Sequence, residues 1–405
     1  MLRWLAAAGL LLLTLGAIAV VVFVVLAGDP VHKAAAQPKP GAFYAVPDKL
    51  PQGPPGTIIR SEALRRLPRG TKGWRILYIS HGYDGNRVAV SGLVLVPATR
   101  RPKHHRKIVV FAHPATGIAS QCGLSVLGGA AAQQVDGLRR FIHAGDAVVV
   151  PDYQGLGTPG PHPYLIGKVT ARNTIDAVRA VHKIHAVHAG RRYAVFGEFE
   201  GAQAAIALAQ LAPRYGSGLQ LVGIAAAGPP ISLASMFARS KGTPAGDVQA
   251  AYTLGAWSQV YDDTRLENVI SDRGVESAIA IDKACVPHRS DLPRAVPAGV
   301  IDQMAYHHKH PTRTKAWSKL LKKNSLRPFV TDIPILITQG QDDELVVPEA
   351  TEAYVRALCE RADTVGYRLY PNTTNAEIGP ASANFVSGWI AGRFAGRDPL
   401  NSCPS

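Results

Sequence analysis

What most constrains the fold of this chain is a succession of short, continuously apolar runs that alternate with helical stretches. Lys107–Ala112 (KIVVFA), Ala147–Pro151 (AVVVP), Tyr193–Phe196 (YAVF), Leu221–Ala225 (LVGIA) and Ile333–Thr338 (IPILIT) lack the polar alternation of a half-exposed strand. Such runs belong to strands covered on both faces. Between them, Thr174–His188 and Gly201–Leu211 read as helices. Ahead of them, Trp74–Ser80 and Val88–Val96 read as an antiparallel pair joined through Gly82-Tyr83-Asp84-Gly85-Asn86, where turn formers cluster. An antiparallel entry followed by repeated strand–helix units predicts an α/β fold, a doubly wound and mostly parallel sheet with helices on both faces.

One interval breaks this rhythm. About a hundred residues separate the strand ending near Ala227 from the one at Ile333, far more than the ~10–12 a crossover needs, so residues 229–322 read as an inserted cap. The cap carries Met236, Phe237, Tyr252, Trp257, Met304 and Tyr306, which suit either an apolar ligand groove or the cap's own small core. The core then comprises residues 56–228 and 323–405, preceded by a Pro/Gly/Ala-rich stalk over 30–55.

The N-terminus bears on location. Arg3 precedes an uncharged apolar run of 24 residues, Trp4 to Ala27, long enough to cross a ~30 Å bilayer as a helix and longer than the core of an ordinary signal peptide. Positive charge on the short N-terminal side predicts that the rest of the chain is exported, held by residues 1–29 as a membrane anchor. The alternative is a secreted product cleaved just after Ala34-Ala35-Ala36. Cys122, Cys285, Cys359 and Cys403 include no C-x-x-C pair, so two disulfides are expected, with three pairings open. The net charge of +15 comes partly from polar clusters at Arg60–Arg69 and Arg100–Lys107 that read as loops without interleaved aromatics, so no nucleic-acid partner is predicted.

The chemistry concentrates where Tyr193–Phe196 runs into Gly197-Glu198-Phe199-Glu200-Gly201 and a helix follows. This is the strand, sharp turn and helix of a nucleophile elbow, G-x-S-x-G, with Phe199 at the apex. A phenyl ring has neither a lone pair to attack a carbonyl nor a proton for a base to remove. The elbow stands with Ala112-His113-Pro-Ala-Thr-Gly117, Pro151-Asp-Tyr-Gln-Gly-Leu-Gly-Thr-Pro-Gly160 with Tyr164, Gly340-Gln-Asp-Asp343-Glu-Leu-Val-Val-Pro348, and Tyr370-Pro-Asn-Thr-Thr-Asn375-Ala-Glu-Ile-Gly-Pro380. In this order the blocks resemble the secretory lipase family of fungi and actinobacteria, from about Ala42 to the C-terminus.

The resemblance implies an α/β-hydrolase fold, hydrolysis of acylglycerol esters and a Ser–Asp–His triad in that chain order. Carried over residue by residue, the acid is Asp343, the serine position holds Phe199 and the histidine position holds Asn375, which cannot take up a proton at neutral pH. The resemblance places the oxyanion hole at the amide of Glu200 and in the loop His113-Pro114-Ala115-Thr116, where Pro114 replaces a family glycine and has no N–H to donate. It also implies the pairings Cys122–Cys285 and Cys359–Cys403.

The expectation is therefore an exported homologue that has lost serine hydrolysis, with either a lipid or acyl ester as ligand or a surface interaction role, and with no cofactor or metal. The alternative is a working triacylglycerol lipase or carboxylesterase whose nucleophile lies elsewhere. Ser120, Ser125, Ser232 and Ser235 are candidates by location, though none sits in a glycine-flanked turn, and Glu198 and Glu200 flank the apex without occupying it. His113 reads as ordering its loop, and His307, His308 and His310 read as a solvated stretch, not a metal site.

Overall fold

The computed structural model describes residues 40–98, 102, 104–286, 310–361 and 364–404. The expected anchor at 1–29, His307, His308, Met304 and Tyr306 lie outside these residues. Among the described residues no helix is long and apolar enough to cross a membrane.

Nine strands form one sheet in the order β1-β2-β3-β5-β4-β6-β7-β8-β9. They are β1 (Ile58–Ala63), β2 (Thr71–His81), β3 (Arg87–Pro97), β4 (Arg106–Ala112), β5 (Ala147–Pro151), β6 (Ala189–Glu198), β7 (Gln220–Ala227), β8 (Ile335–Gly340) and β9 (Val365–Tyr370). The first three strands and the β3–β5 pair run antiparallel, and every pair from β5 through β9 is parallel. Strand order reverses about β4, which lies between β5 and β6, and open α/β sheets place their sites at the carboxyl ends of strands beside such a reversal.

Helices cover both faces, which is why the central strands carry no polar alternation. On one face, α2 (Gly167–Val181), α3 (Glu200–Tyr215) and α8 (Pro348–Cys359) pack with Ile108, Val110 and Val195. On the other, α1 (Leu138–His143) and α9 (Ile378–Phe394) pack with Val109, Phe111 and Phe196. Between β7 and β8 lie α4 (Leu233–Arg239), α5 (Pro244–Val260), α6 (Asp272–Lys283) and α7 (Lys315–Asn324). Met236, Phe237, Tyr252 and Trp257 of this segment are buried in a further core, and that core includes Phe199.

Several boundaries differ from the sequence reading. Strands β1 and β9 went unrecognised because they are the sheet's edges, and their mixed, partly exposed residues carry no continuous apolar signal. Arg60–Ala63, expected as loop, therefore belongs to β1, and Arg106 joins Lys107–Ala112 in β4. Helix α2 begins at Gly167, seven residues before the expected start. The end of the expected stalk is not extended chain: Phe43 and Tyr44 are buried against Leu77 and Ala89, and Gly56 N–H donates to Ile79 O at 2.7 Å. Two bulky aromatics gain more by burial than the Pro/Gly content of the segment suggests. The disulfides pair Cys122 with Cys285 and Cys359 with Cys403. The first ties the loop after β4 to the end of α6, and the second ties the C-terminal tail to α8.

Candidate functional site

The site is assembled at the carboxyl edge of the parallel strands. Strand β6 ends at Glu198 and α3 starts at Glu200, leaving Phe199 alone to reverse the chain at φ 46° and ψ −103°. A non-glycine residue held there costs roughly 1–3 kcal/mol and persists only where its surroundings enforce it. The flanking glycines show what enforces it. A Cβ on Gly197 would lie 2.1 Å from Gly201 O, and one on Gly201 would lie 1.8 Å from Ala112 O at the end of β4. The turn is tight because α3 backs directly onto the neighbouring strand, and only hydrogen fits at either position. Phe199 N–H donates to Ala227 O at the end of β7 (2.9 Å), and the Phe199 ring is 2% exposed.

Asp343 follows β8 in a loop that closes on its carboxylate. Oδ1 accepts from the amides of Leu345 (3.0 Å) and Val346 (2.8 Å), and Oδ2 accepts from Gln339 Nε2 (2.9 Å) and Asn375 Nδ2 (2.9 Å). Burial pushes this carboxyl up to about 6, whereas all four neighbours are donors and favour the ionised form. At neutral pH the group is a carboxylate. Gln339 is itself held, donating to Val346 O and accepting from Thr351 Oγ1. Sequence inspection missed it, because a lone glutamine at a strand end carries no signal. Behind the pair, Gly228 leaves room: a Cβ there would sit 3.3 Å from Asn375 Nδ2 and 3.4 Å from Asp343 Oδ2.

Asn375 thus donates a hydrogen bond to a buried carboxyl group, as an imidazole N–H does in a catalytic triad. Its remaining side-chain atom is an amide oxygen, which accepts hydrogen bonds but is not a base. The structure brings Asp343 and Asn375 together and places Phe199 at the elbow apex.

The expected oxyanion region is occupied by ionisable side chains. Glu200 is fully buried, and its Oε1 lies 2.9 Å from His162 Nε2, a close approach outside hydrogen-bond geometry. His162 Nδ1 donates to Gln154 O (2.9 Å), which leaves Nε2 to face the carboxylate. This pairing was also missed, since 37 residues, including the whole of α2 and β6, lie between the two positions. In the loop after β4, His113 Nδ1 bonds Pro114 O (2.6 Å) while Tyr153 Oη donates to His113 O (3.2 Å). Burial lowers the His113 imidazole below its usual range, so it is neutral at pH 7. Pro114 and Ala115 are half-buried, and Ala115 packs against the core that holds Phe199. Glu198 sits against the first turn of α9, where a Cβ on Gly379 would meet its Oε2 at 2.3 Å.

Of the candidate serines, Ser232 and Ser235 line a small cleft beside Leu345 and Val346. Ser125 is buried and hydrogen-bonds Asp152 and Tyr44, Ser232 caps α4 by accepting from Ser235 N (3.3 Å), and Ser120 opens a short 3-10 turn. His310 bonds Thr312 Oγ1 at 2.7 Å. No group of three or more metal-ligating side chains occurs among the described residues.

Known proteins similar to this chain include lipases. The family model for secretory lipase matches residues 125–402, more than half of the chain. The secreted triacylglycerol lipase LIP4 of Malassezia globosa is 24% identical over 392 residues, covering 90% of this chain and 83% of that protein. Among solved structures, Candida antarctica lipase A in its closed state superposes with a TM-score of 0.75 at 20% identity, covering 91% of this chain and 89% of that one. The rice cell wall degrading esterase LipA of Xanthomonas oryzae gives 0.66 at 18% identity, covering 84% and 98%.

Proposed function

The chain belongs to the secretory lipase family, and we propose that it is a member that keeps the scaffold and the triad acid but no longer hydrolyses esters. One observation carries the reading: Asn375 donates to Asp343 at 2.9 Å in the place of the triad histidine, while Phe199 takes the elbow apex. Nucleophile and base are thus replaced together at positions whose backbone settings remain those of a hydrolase. Three further features support the reading. Pro114 has no amide proton, the Glu200 carboxyl is buried next to the amide expected of the oxyanion hole, and the Phe199 ring is buried in the core that includes Leu233, Met236 and Leu345. We read residues 229–322 as the cap over this site, with a retained lipid or acyl-ligand role beneath it.

The expected result is no adduct with a fluorophosphonate probe and no turnover of p-nitrophenyl butyrate above buffer. A stoichiometric adduct on any serine would overturn the reading and favour the alternative of an active esterase, to which the chain's lipase relatives point.

Export follows from the same kinship together with the two disulfides, which form in oxidising compartments. The Trp4–Ala27 run supports a domain outside the membrane and tethered to it. N-terminal sequencing of the exported protein should find residues 1–29 retained; a product starting near Ala36 or Gln37 would mean cleavage.

A further inference from the structure

Helix α7 has two chemically opposite faces. Trp317, Leu320 and Leu321 are buried, with Trp317 stacked on Trp257 at 6.3 Å between ring centres, while Lys319, Lys322 and Lys323 are exposed on the other side. These lysines form one wall of a groove of about 1010 Å³. Residues of helices α2 and α3 and of the chain leaving α7 toward β8 also line it. The volume lies at the upper end of the ~300–1,000 Å³ typical of small-molecule sites.

The lining is strongly asymmetric in charge. Lys168, Arg172, Lys319, Lys322, Lys323 and Arg327 face it, against Asp84 and Asp262. Asp84 is already engaged, accepting from Asn86 N (3.0 Å) and Asn86 Nδ2 (2.7 Å). Lys323 is held over the Tyr261 ring at 5.2 Å. Beneath the cations the floor is apolar, formed by Ile166, Val169, Ile206 and Phe329. At the base lies Gln203, fully buried. Its Nε2 donates to Asn324 O at 2.9 Å, which fixes the amide orientation and leaves Oε1 without a donor.

We propose that this groove binds an anionic amphiphile, a molecule with one acyl chain and a carboxylate or phosphate head. The cations take the head, and the apolar floor takes the chain. A bare anion or a polyanion would use the lysines and leave the floor wet, whereas an uncharged lipid would use the floor and leave the cations unanswered. Neither Phe199 nor Asn375 lines the groove, so the inference stands apart from the state of the triad.

The test uses the full chain in phosphatidylcholine nanodiscs, with a palmitate analogue bearing a diazirine on its chain as the photoaffinity probe. Cross-links are expected on the peptides holding Ile206 and Phe329. Dodecyl phosphate should compete with them; dodecyl maltoside, inorganic phosphate and polyphosphate should not. Lys319→Glu/Lys322→Glu/Lys323→Glu should weaken labelling by about tenfold or more, while the same lysines changed to arginine keep it. Lys168→Glu/Arg327→Glu, on other segments, should act in the same direction. These residues are exposed or line the rim, so unchanged near-ultraviolet circular dichroism is the check on folding. Labelling that ignores both charge reversals, or competition by maltoside or polyphosphate equal to that of dodecyl phosphate, would overturn the proposal.

Discussion

Changing Phe199→Ser and Asn375→His together should restore ester hydrolysis, raising turnover of a short-chain ester by about 10²–10⁴ over the parent. The acid and its supports are already in place. Asp343 is fixed by two backbone amides and Gln339, and Asn375 Nδ2 stands where an imidazole N–H would donate to the same oxygen. Each single change should do almost nothing, because serine without a base is a poor nucleophile and histidine without serine has nothing to activate. The gain stays below that of an intact lipase. Removing the buried Phe199 ring costs about 3–5 kcal/mol. Pro114 withholds one oxyanion donor, a deficit of about 10²–10³ in rate, so adding Pro114→Gly should raise the double variant further. The measurements are hydrolysis rates for the two singles, the double and the triple, with fluorophosphonate labelling mapped to residue 199. If the folded double and triple variants both stay silent and unlabelled, Phe199 and Asn375 are not the serine and histidine positions.

Gly201→Ala should abolish folding, although it adds one methyl group. Its Cβ would be driven to 1.8 Å from Ala112 O and 2.3 Å from Ala112 C, backbone atoms of β4 that cannot move without breaking the β4–β6 ladder. The expected destabilisation exceeds about 5 kcal/mol, a large share of the stability of most domains. Gly388→Ala is the control. Gly388 lies within α9 with nothing within 4 Å of its added Cβ, and helix propensity alone predicts a gain of about 0.8–1 kcal/mol. Thermal melts and soluble yield of the two variants measure the contrast. A Gly201→Ala protein that folds with an ordinary melting transition would show that α3 does not press on β4 as closely as described.

Much of this molecule is legible in one dimension. The buried central strands announce themselves because helices cover both their faces, and the elbow because steric closeness leaves only glycine at 197 and 201. The disulfide pairing follows from matching motifs in order along the chain, and the same matching is the basis for proposing Asp343, Phe199 and Asn375 as the triad positions. What the chain conceals is of two kinds. Edge strands β1 and β9 are half-wet, so their residues carry no periodic signal strong enough to separate them from loop. Pairings across the sheet's carboxyl edge, Gln339 and Asn375 on Asp343 or His162 on Glu200, depend on where separate strands end relative to one another. The cationic groove is the same case, since α2, α3 and α7 each read alone as an ordinary amphipathic helix. Burial pattern is a property of each segment and is written in its residues; a site is a property of how segments meet, and only the folded packing decides that.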